Sequence, residues 1–204
     1  MIYHERRIIN LKGKIIAVII AIALIVFVAK SAKVIDKGTE GQYTGVVAFD
    51  AGASSQSDWD KISSQITGSA QEISALNLNE LGAGKAVKFR GVVNEFSSKA
   101  NGKKKSITVT PENYSGNAQF IVQLGSIYTG TSIRDVQTVK GFGDFTNQTE
   151  WSQYAKALNS QLDKEVVAPL NIDENIKGKN ITITGTATSS GNQVTITPVA
   201  IVIE

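Results

Sequence analysis

Five segments in which apolar and polar residues alternate, with one helical segment between the third and the fourth, constrain the fold of this 204-residue chain most strongly. Alternation with period two is typical of strands that bury one face. In the fourth segment, Thr182, Thr184 and Thr186 are expected to face solvent, opposite Ile181 and Ile183. The five predicted strands have the sequences AVKFRGVVNEF, KSITVT, NAQFIVQLG, NITITGTAT and QVTITPVAIVI.

The helical segment begins after Asn147, a favoured N-cap residue, and Glu150 lies where it can reach back to the cap. Pro169 is expected to end the helix because proline cannot continue it. The apolar residues between them recur at helical spacing and predict one buried stripe, formed by Trp151, Tyr154, Ala155, Leu158, Leu162 and Val166.

Three strands, a helix and two strands occur in the order of an OB-fold, which is a five-stranded barrel. Gly91 and Gly185 lie inside the first and fourth strands, where glycine lets a strand bend sharply enough to serve both halves of the barrel. A further helix is predicted earlier, with Ser57 as its N-cap and an apolar stripe from Trp59 to Leu76. Asp58 and Asp60 are then expected in its first turn, where the helix dipole favours acidic side chains. Residues 53–204 are therefore expected to be mainly β with helices: an OB-fold-like barrel, a long helix between strands 3 and 4, and an extra N-terminal helix.

A run of fifteen apolar residues without a charge, Ile15 to Ala29, follows Arg6, Arg7, Lys12 and Lys14. Such a run between basic residues is typical of a membrane segment, and flanking lysines can extend a span that is slightly short. The sequence after the run offers a poor site for signal peptidase, so an uncleaved anchor is favoured over a cleaved signal peptide. The basic flank is expected to keep the start of the chain in the cytoplasm and to place the rest outside.

These features predict four parts. Residues 1–14 are expected to be a cytoplasmic basic tail, 15–33 a transmembrane anchor or uncleaved signal, 34–52 a tether and 53–204 an extracytoplasmic domain. The predicted location is the cytoplasmic (inner) membrane, in a single pass, with the N-terminus inside and the C-terminal domain periplasmic or extracellular. The chain has no cysteine, so its stability depends on the core without disulfides.

The net positive charge of the chain comes from residues 1–37. Residues 1–37 carry seven lysines and arginines against two acids, whereas the rest carries 14 against 16, a net charge of −2. This charge argues against phosphate-backbone binding, and the lysines at 103–105 are interpreted as a solvated turn. Only Tyr114 and Tyr128 are left as candidates for stacking, so no nucleic-acid binding is expected.

The stretch GTSIRDVQTVKGFGDFTNQTEW, residues 130–151, concentrates polar and charged residues. Enzyme chemistry needs a nucleophile with a base, a carboxylate pair or metal ligands. The single histidine, His4, precedes the apolar run, and there is no thiol. Asp135, Asp144 and Glu150 match no known calcium loop. We therefore predict that the protein is not an enzyme and has no metal site and no cofactor.

The favoured interpretation of this stretch is a structural framework with a binding surface built on it. Arg134 and Asp135 would form a charge pair that fixes a loop across one mouth of the barrel, and Asn147 would cap the following helix. Asp144 and Gln148 would satisfy backbone groups of the loop. The same five residues are the candidate ligand or partner surface.

The span VQLGSIYTGTSIRDVQTVKGFGDFTNQTEWSQYAKALN, followed by GKNITITGTATSSGNQVTITPVAIVIE, resembles the DUF2291 family of predicted periplasmic lipoproteins. The resemblance extends over residues 45–204 and implies an OB-fold domain held outside the cytoplasmic membrane, without an established activity. Members look associated with sugar ABC-transport systems. The lipobox cysteine of the family is missing, so a helix is expected to anchor the chain. The positions that carry the resemblance are Phe49-Asp50-Ala51, Trp59, Gly125, Gly130, Thr131, Arg134-Asp135, Asp144-Phe145, Asn147-Gln148, Ala157-Leu158-Asn159, Gly178-Lys179 and Thr197-Pro198-Val199.

The expected function is a membrane-anchored, extracytoplasmic binding or accessory module of unknown ligand, with a protein partner in a sugar ABC-transport system. The alternative is an OB-fold protein that binds an oligosaccharide or a nucleic acid on its barrel face.

Overall fold

The computed structural model describes residues 48–204. The predicted tail and anchor, and the tether up to residue 47, lie outside the described residues. Within the described part, no helix is both long and apolar enough to cross a membrane. Residues Phe49–Glu204 form one compact unit, and the elements below belong to it.

Helix α1, Ala51–Ser69, begins this unit. Its N-cap is Asp50, whose carboxylate accepts a hydrogen bond from the backbone N–H of Ala53 at 2.9 Å. The predicted cap at Ser57 was wrong, because Asp50 starts the helix about two turns earlier. The hydroxyl of Ser57 donates to the carbonyl of Ser54 within the helix. The apolar stripe buries Trp59, Ile62 and Ile66, and its continuation, Ile73, is buried in a 3₁₀ turn after the helix.

Six strands form one sheet, in the order β1-β2-β3-β4-β6-β5, and β5 also pairs with β2. This last pairing closes a five-stranded barrel from β2 to β6 and confirms the predicted element order. Strands β4 and β6 run parallel, and the other pairs within the barrel are antiparallel. The strands are β1 (Gln71–Glu72), β2 (Lys85–Lys99), β3 (Lys104–Pro111), β4 (Gln119–Leu124), β5 (Asn180–Ser190) and β6 (Gln193–Ile203).

Two glycines allow the barrel to close. Strand β2 pairs with β5 through residues 85–92 and with β3 from residue 91 onward, so Gly91 lies where the strand passes from one neighbour to the other. A Cβ at Gly91 would overlap the carbonyl oxygen of Thr110, and a Cβ at Gly185 would overlap that of Thr197. Gly185 also lies at an irregularity in the pairing of β5 with β6. Both positions therefore require glycine because of a close backbone approach, as the sequence predicts.

Helix α2, Ser132–Val136, and helix α3, Gln148–Leu162, connect β4 to β5. A π-helical turn, Asp163–Val167, and a 3₁₀ turn that contains Pro169 follow α3. Helix α3 packs against α1, and the core of the barrel continues into this contact. The predicted stripe of α3 is confirmed at the buried residues Tyr154, Ala155, Leu158 and Leu162, while Trp151 and Val166 are half-buried.

The outward face of β5 is partly covered. Ile181 and Ile183 are buried as expected, and Thr182 and Thr184 are half-buried. The prediction that Thr186 faces solvent was wrong: its side chain is fully buried. The reason is that α2 packs on this part of β5, and alternation along one strand carries no information about such a cover.

Candidate binding sites

Segment 130–151, which contains α2 and leads into α3, is fixed to the barrel by a buried polar network. The Ser132 hydroxyl lies 2.7 Å from the Thr186 hydroxyl and 3.2 Å from that of Thr197. The Gln123 amide donates to the Thr197 hydroxyl at 3.0 Å. It also accepts from the backbone N–H of Thr129 at 2.7 Å and donates to the carbonyl of the same residue at 3.0 Å. This network replaces a strand ladder between the loop and the barrel.

Arg134 and Asp135 form a hydrogen-bonded ion pair. The Arg134 Nε and Nη2 atoms lie 2.8 and 2.7 Å from Asp135 Oδ1, and Asp135 Oδ2 accepts from the Thr131 hydroxyl at 2.6 Å. The guanidinium also stacks over the Trp151 ring, with Cζ 4.6 Å from the ring centroid. The two charged side chains are only 15% and 23% exposed. The pair is therefore largely shielded from solvent, and through Trp151 it connects α2 to α3.

The other three candidates lie around the start of α3. The Asp144 carboxylate accepts from the backbone N–H of Gly141 at 2.8 Å and closes a 3₁₀ turn. Asn147 caps α3 by accepting from the backbone N–H of Glu150 at 3.0 Å. Glu150 reaches back to the N–H of Thr146, one residue before the cap. Gln148 is exposed, and its side chain makes no hydrogen bond to another described residue.

The carboxylates of this segment do not converge. Asp135 pairs with Arg134, while Asp144 and Glu150 each bind a separate backbone N–H. No group of three or more potential metal-ligating His, Cys, Asp or Glu side chains occurs among residues 48–204.

Sequence reasoning missed a second ionic cluster, which joins α1, segment 130–151 and α3. Asp58 of α1 is buried, and its Oδ2 lies 2.8 Å from both the Tyr154 hydroxyl and the Lys140 ammonium. Lys140 also donates to the Ser54 hydroxyl at 2.5 Å. The available signal was the position of Asp58 four residues before Ile62, on the face of the apolar stripe. Because Ser57 was predicted to be the cap, Asp58 was interpreted as a first-turn acid that the helix dipole favours.

The surroundings of this cluster lower the pKa of Asp58 and raise the pKa of Tyr154. Burial by itself raises the pKa of Asp58, but the hydrogen bonds from Lys140 and Tyr154 outweigh it and hold the pKa below its ordinary value. Burial, with the hydrogen bond to Asp58, raises the pKa of Tyr154. The hydroxyl therefore stays protonated and donates to the carboxylate at physiological pH. A buried carboxylate that accepts from one cationic and one neutral donor is a structural connection between the three elements.

An aromatic cluster surrounds the same junction. Phe49 packs edge-to-face on Phe145, with centroids 5.2 Å apart, and Phe145 lies 5.0 Å from Trp151. Phe142, between two glycines, packs edge-to-face against Trp151 at 6.2 Å but is 52% exposed. Phe142 therefore adds an exposed aromatic side chain to the candidate surface of segment 130–151.

A groove of about 470 Å³ lies on the outer face of β3, β4 and β6; we call it the β3–β4 groove. Hydroxyl and amide side chains dominate its lining, and Ile121 and Ile127 contribute the apolar part. Lysines from the ends of β2 and β3 border it. Among the described residues that line the groove, none is aromatic. Its polar lining residues are Ser106, Gln123, Thr129, Thr188, Gln193 and Thr195, and its lysines are Lys99, Lys104 and Lys105.

A family sequence model matches this chain over most of the barrel and all of segment 130–151, and this match identifies the family. The model of the DUF2291 family, described as predicted periplasmic lipoproteins, matches residues 79–202. The chain belongs to the DUF2291 family. That description agrees with an extracytoplasmic domain, although this DUF2291 chain contains no cysteine to which a lipid could be attached. No curated protein matches the sequence.

Among solved structures, this DUF2291 domain is similar to an OB-fold protein from Thermotoga maritima MSB8, determined by crystallography at 1.90 Å resolution. The likeness covers 77% of this chain and 99% of that one, with a TM-score of 0.51 and 14% sequence identity. At this identity the likeness concerns the fold alone, and it supports the OB-fold that the strand order shows.

Proposed function

We propose that this DUF2291 protein is a non-enzymatic binding module, held outside the cytoplasmic membrane by its N-terminal apolar run, and that its ligand occupies the β3–β4 groove. The observation that carries the proposal is the groove itself. The groove lies next to the β2–β3 turn, on the barrel face that OB-folds use to bind oligosaccharides and oligonucleotides.

The chemistry of the groove favours an oxygen-rich ligand. Serine and threonine hydroxyls and glutamine amides both donate and accept hydrogen bonds, which suits the hydroxyl groups of a saccharide. The lysines at one end add positive charge, so a saccharide that carries a carboxylate fits better than a neutral one. The association of the family with sugar ABC-transport systems, implied by the resemblance, supports the same ligand class.

Segment 130–151 is connected to the groove through Ser132, whose hydroxyl lies 3.2 Å from that of Thr197. Gln123 lines the groove and is also part of the buried network with Thr197 and Thr129. Because a rigid support lowers the entropy lost on binding, the framework role of the segment contributes to the function of the groove. The exposed side chains of Phe142 and Gln148 are then available to a protein partner of the transport system.

The second candidate is nucleic-acid binding, which the three lysines favour. The composition of the groove argues against it, because proteins that bind single strands on an OB-fold use stacked aromatic side chains. The net charge of −2 from residue 38 onward also disfavours a polyanion.

A binding experiment with the purified full-length protein in detergent tests the proposal. We expect calorimetry with neutral and uronic-acid-containing oligosaccharides to detect binding of the acidic members. Replacing Lys104 by Gln or Thr195 by Val should weaken that binding by about tenfold. Thr184→Val, on the outer face of β5, is the matched control and should leave binding unchanged. Equal affinities for all three variants would show that the groove is not the site.

Membrane attachment is tested separately. We expect the full-length protein to stay in the membrane fraction through high-salt and carbonate washes, because fifteen uncharged apolar residues lie between basic ones. Recovery of a soluble form that starts near Ala32 would contradict the uncleaved anchor.

A further inference from the structure

A second cavity, of about 280 Å³, lies between the β2–β3 turn and the chain that follows α3. We call it the hairpin pocket. Its lining includes Gly102, Leu124 and Gly125 on one side and Asp163, Val167 and Ile172 on the other. Lys105 borders both this pocket and the β3–β4 groove, whereas Asp163 borders only the pocket.

The two charged side chains of the pocket are not paired with each other. No ion pair joins Asp163 to Lys105 in the described part of the chain. Among residues 48–204, the Asp163 carboxylate accepts a single hydrogen bond, a long one from the Tyr128 hydroxyl at 3.4 Å. The Lys105 ammonium is 3.5 Å from its nearest partner, the carbonyl of Ile172. Both distances exceed the usual range, so each group retains the capacity for a closer partner of opposite charge.

The electrostatics of Asp163 agree with this geometry. Burial raises the pKa of Asp163, and the hydrogen bond from Tyr128 and the charge of Lys105 only partly offset the rise. The same burial, with the negative charge of Asp163, raises the pKa of Tyr128. This contrasts with Asp58, whose donors more than compensate for its burial. The carboxylate of Asp163 therefore lies near Lys105 without a positive charge close enough to offset its burial.

Two turn glycines shape one side of the pocket, and a π-helical turn shapes the other. Gly125 has φ +84°, and a Cβ there would lie 2.7 Å from the carbonyl oxygen of Lys103. Gly102 has φ +82°. On the opposite side, Asp163–Val167 is a π-helical turn. Single π turns in helices occur frequently at functional sites.

We propose that the hairpin pocket binds a small aliphatic zwitterion of the amino-acid type. The ligand ammonium pairs with Asp163, its carboxylate pairs with Lys105, and its side chain packs against Leu124, Val167 and Ile172. These three residues are buried and supply the large apolar side chains of the lining, which otherwise consists of small and polar residues. The cavity volume of about 280 Å³ lies just below the range of about 300–1,000 Å³ that drug-sized ligands occupy, so it suits a small ligand.

The test compares L-valine with isobutylamine and isobutyrate, which have a branched aliphatic group of similar size but only one of the two charges. Each is titrated into the purified full-length protein in detergent, with calorimetry and methyl NMR as readouts. We expect L-valine to bind at least about tenfold more tightly than either single-charge molecule. We also expect it to shift the methyl signals of Leu124 and Ile172 and to leave Thr195 in the groove unchanged. This readout needs no variant, so it decides the proposal even if a substitution impairs folding.

Asp163→Asn should lower the affinity for L-valine by about tenfold or more, while Glu165→Gln, on the same turn and 45% exposed, should not change it. Three outcomes would overturn the proposal: no binding of L-valine, equal binding of isobutylamine and L-valine, or unchanged affinity in a folded Asp163→Asn variant. None of them affects the β3–β4 groove, since Asp163 does not line it.

Discussion

The barrel and segment 130–151 are stabilised by different interactions. The barrel is closed by backbone hydrogen bonds between strands and by an interior of aliphatic and aromatic side chains. In segment 130–151, side chains replace those backbone ladders. The Gln137 amide accepts from the backbone N–H of Lys140 at 2.9 Å and donates to the carbonyl of Arg134 at 3.1 Å. From α1, the Gln65 amide accepts from the backbone N–H of Thr138 at 2.9 Å.

The difference indicates which changes each region tolerates. Apolar packing depends on volume and responds little to pH, whereas a segment held by amides and ion pairs depends on individual polar atoms. Single polar substitutions should therefore loosen segment 130–151 while the barrel stays folded.

The largest expected effect lies in the barrel. Phe120 is buried between Phe89 and Tyr114, with ring centroids 6.2 and 4.8 Å away. Phe120→Ala should lower the free energy of unfolding by about 3–5 kcal/mol, because it removes a large side chain and leaves a cavity. Phe142→Ala is the exposed control and should change stability by less than about 0.5 kcal/mol. Urea unfolding of both variants measures the difference, and a similar loss in both would contradict the comparison.

A smaller loss is expected at the ionic cluster. Asp58→Asn removes the negative charge between Lys140 and Tyr154 and should lower stability by about 1–3 kcal/mol, because the ammonium loses its partner. Asp60→Asn, an exposed acid two residues further along α1, is the control. Hydrogen exchange should show faster exchange in segment 130–151 of Asp58→Asn than in the barrel strands. Equal acceleration in both regions would show that they unfold together.

The same cluster predicts the pH dependence. The pKa of Asp58 is lower in the folded protein than in the unfolded chain, so its ionised form stabilises the fold above the ordinary carboxyl pKa. That stabilisation is lost as the pH falls through the lowered value. The stability difference between wild type and Asp58→Asn should therefore be full at neutral pH and shrink below about pH 4. Thermal melts at several pH values measure it, and a constant difference down to pH 2 would contradict the assignment.

Near-additive effects are expected within segment 130–151. Asn147→Ala removes the α3 cap and should cost about 0.5–2 kcal/mol. Arg134→Ala leaves Asp135 with the Thr131 hydroxyl, and its effect should be of similar size. The two residues have separate partners, so the double mutant should equal the sum of the single mutants within about 0.5 kcal/mol. Stronger coupling in thermal melts would indicate one shared network. A variant with wild-type stability that loses binding to an oligosaccharide would instead make this segment the functional site.

The smallest expected effect is a null result with nucleic acid. Single-stranded DNA and RNA should show no salt-sensitive binding in the micromolar range, because the domain is mildly acidic and its groove lacks stacking side chains. Fluorescence anisotropy at two salt concentrations provides the measurement. A steep loss of affinity with added salt would support the nucleic-acid alternative.

Features that depend on nearby residues could be predicted from the sequence. Alternation located all five barrel strands, and the two internal glycines indicated where the barrel bends. The apolar stripe and Asn147 located α3. Thr186 and Asp58 were misjudged because distant elements cover them, namely α2 for Thr186 and α3 for Asp58.

Binding sites were harder to predict than strands. Arg134 and Asp135 are neighbours in sequence, so a charge pair could be predicted, but stacking of the arginine on Trp151 requires the folded loop. The two cavities combine residues from several strands and turns, and no local spacing marks Lys105 or Asp163 as their lining residues.

The closing pair of the barrel has a consequence for the folding rate. Strand β2 pairs with β5, and Lys85 lies opposite Ala187, so the barrel cannot close until the chain has been made past residue 187. Contacts between residues so far apart in sequence raise the contact order, which slows folding. Until β5 arrives, β2 presents an unpaired edge to which other chains can add. The interval before β5 pairs with β2 is therefore when the domain is most exposed to aggregation.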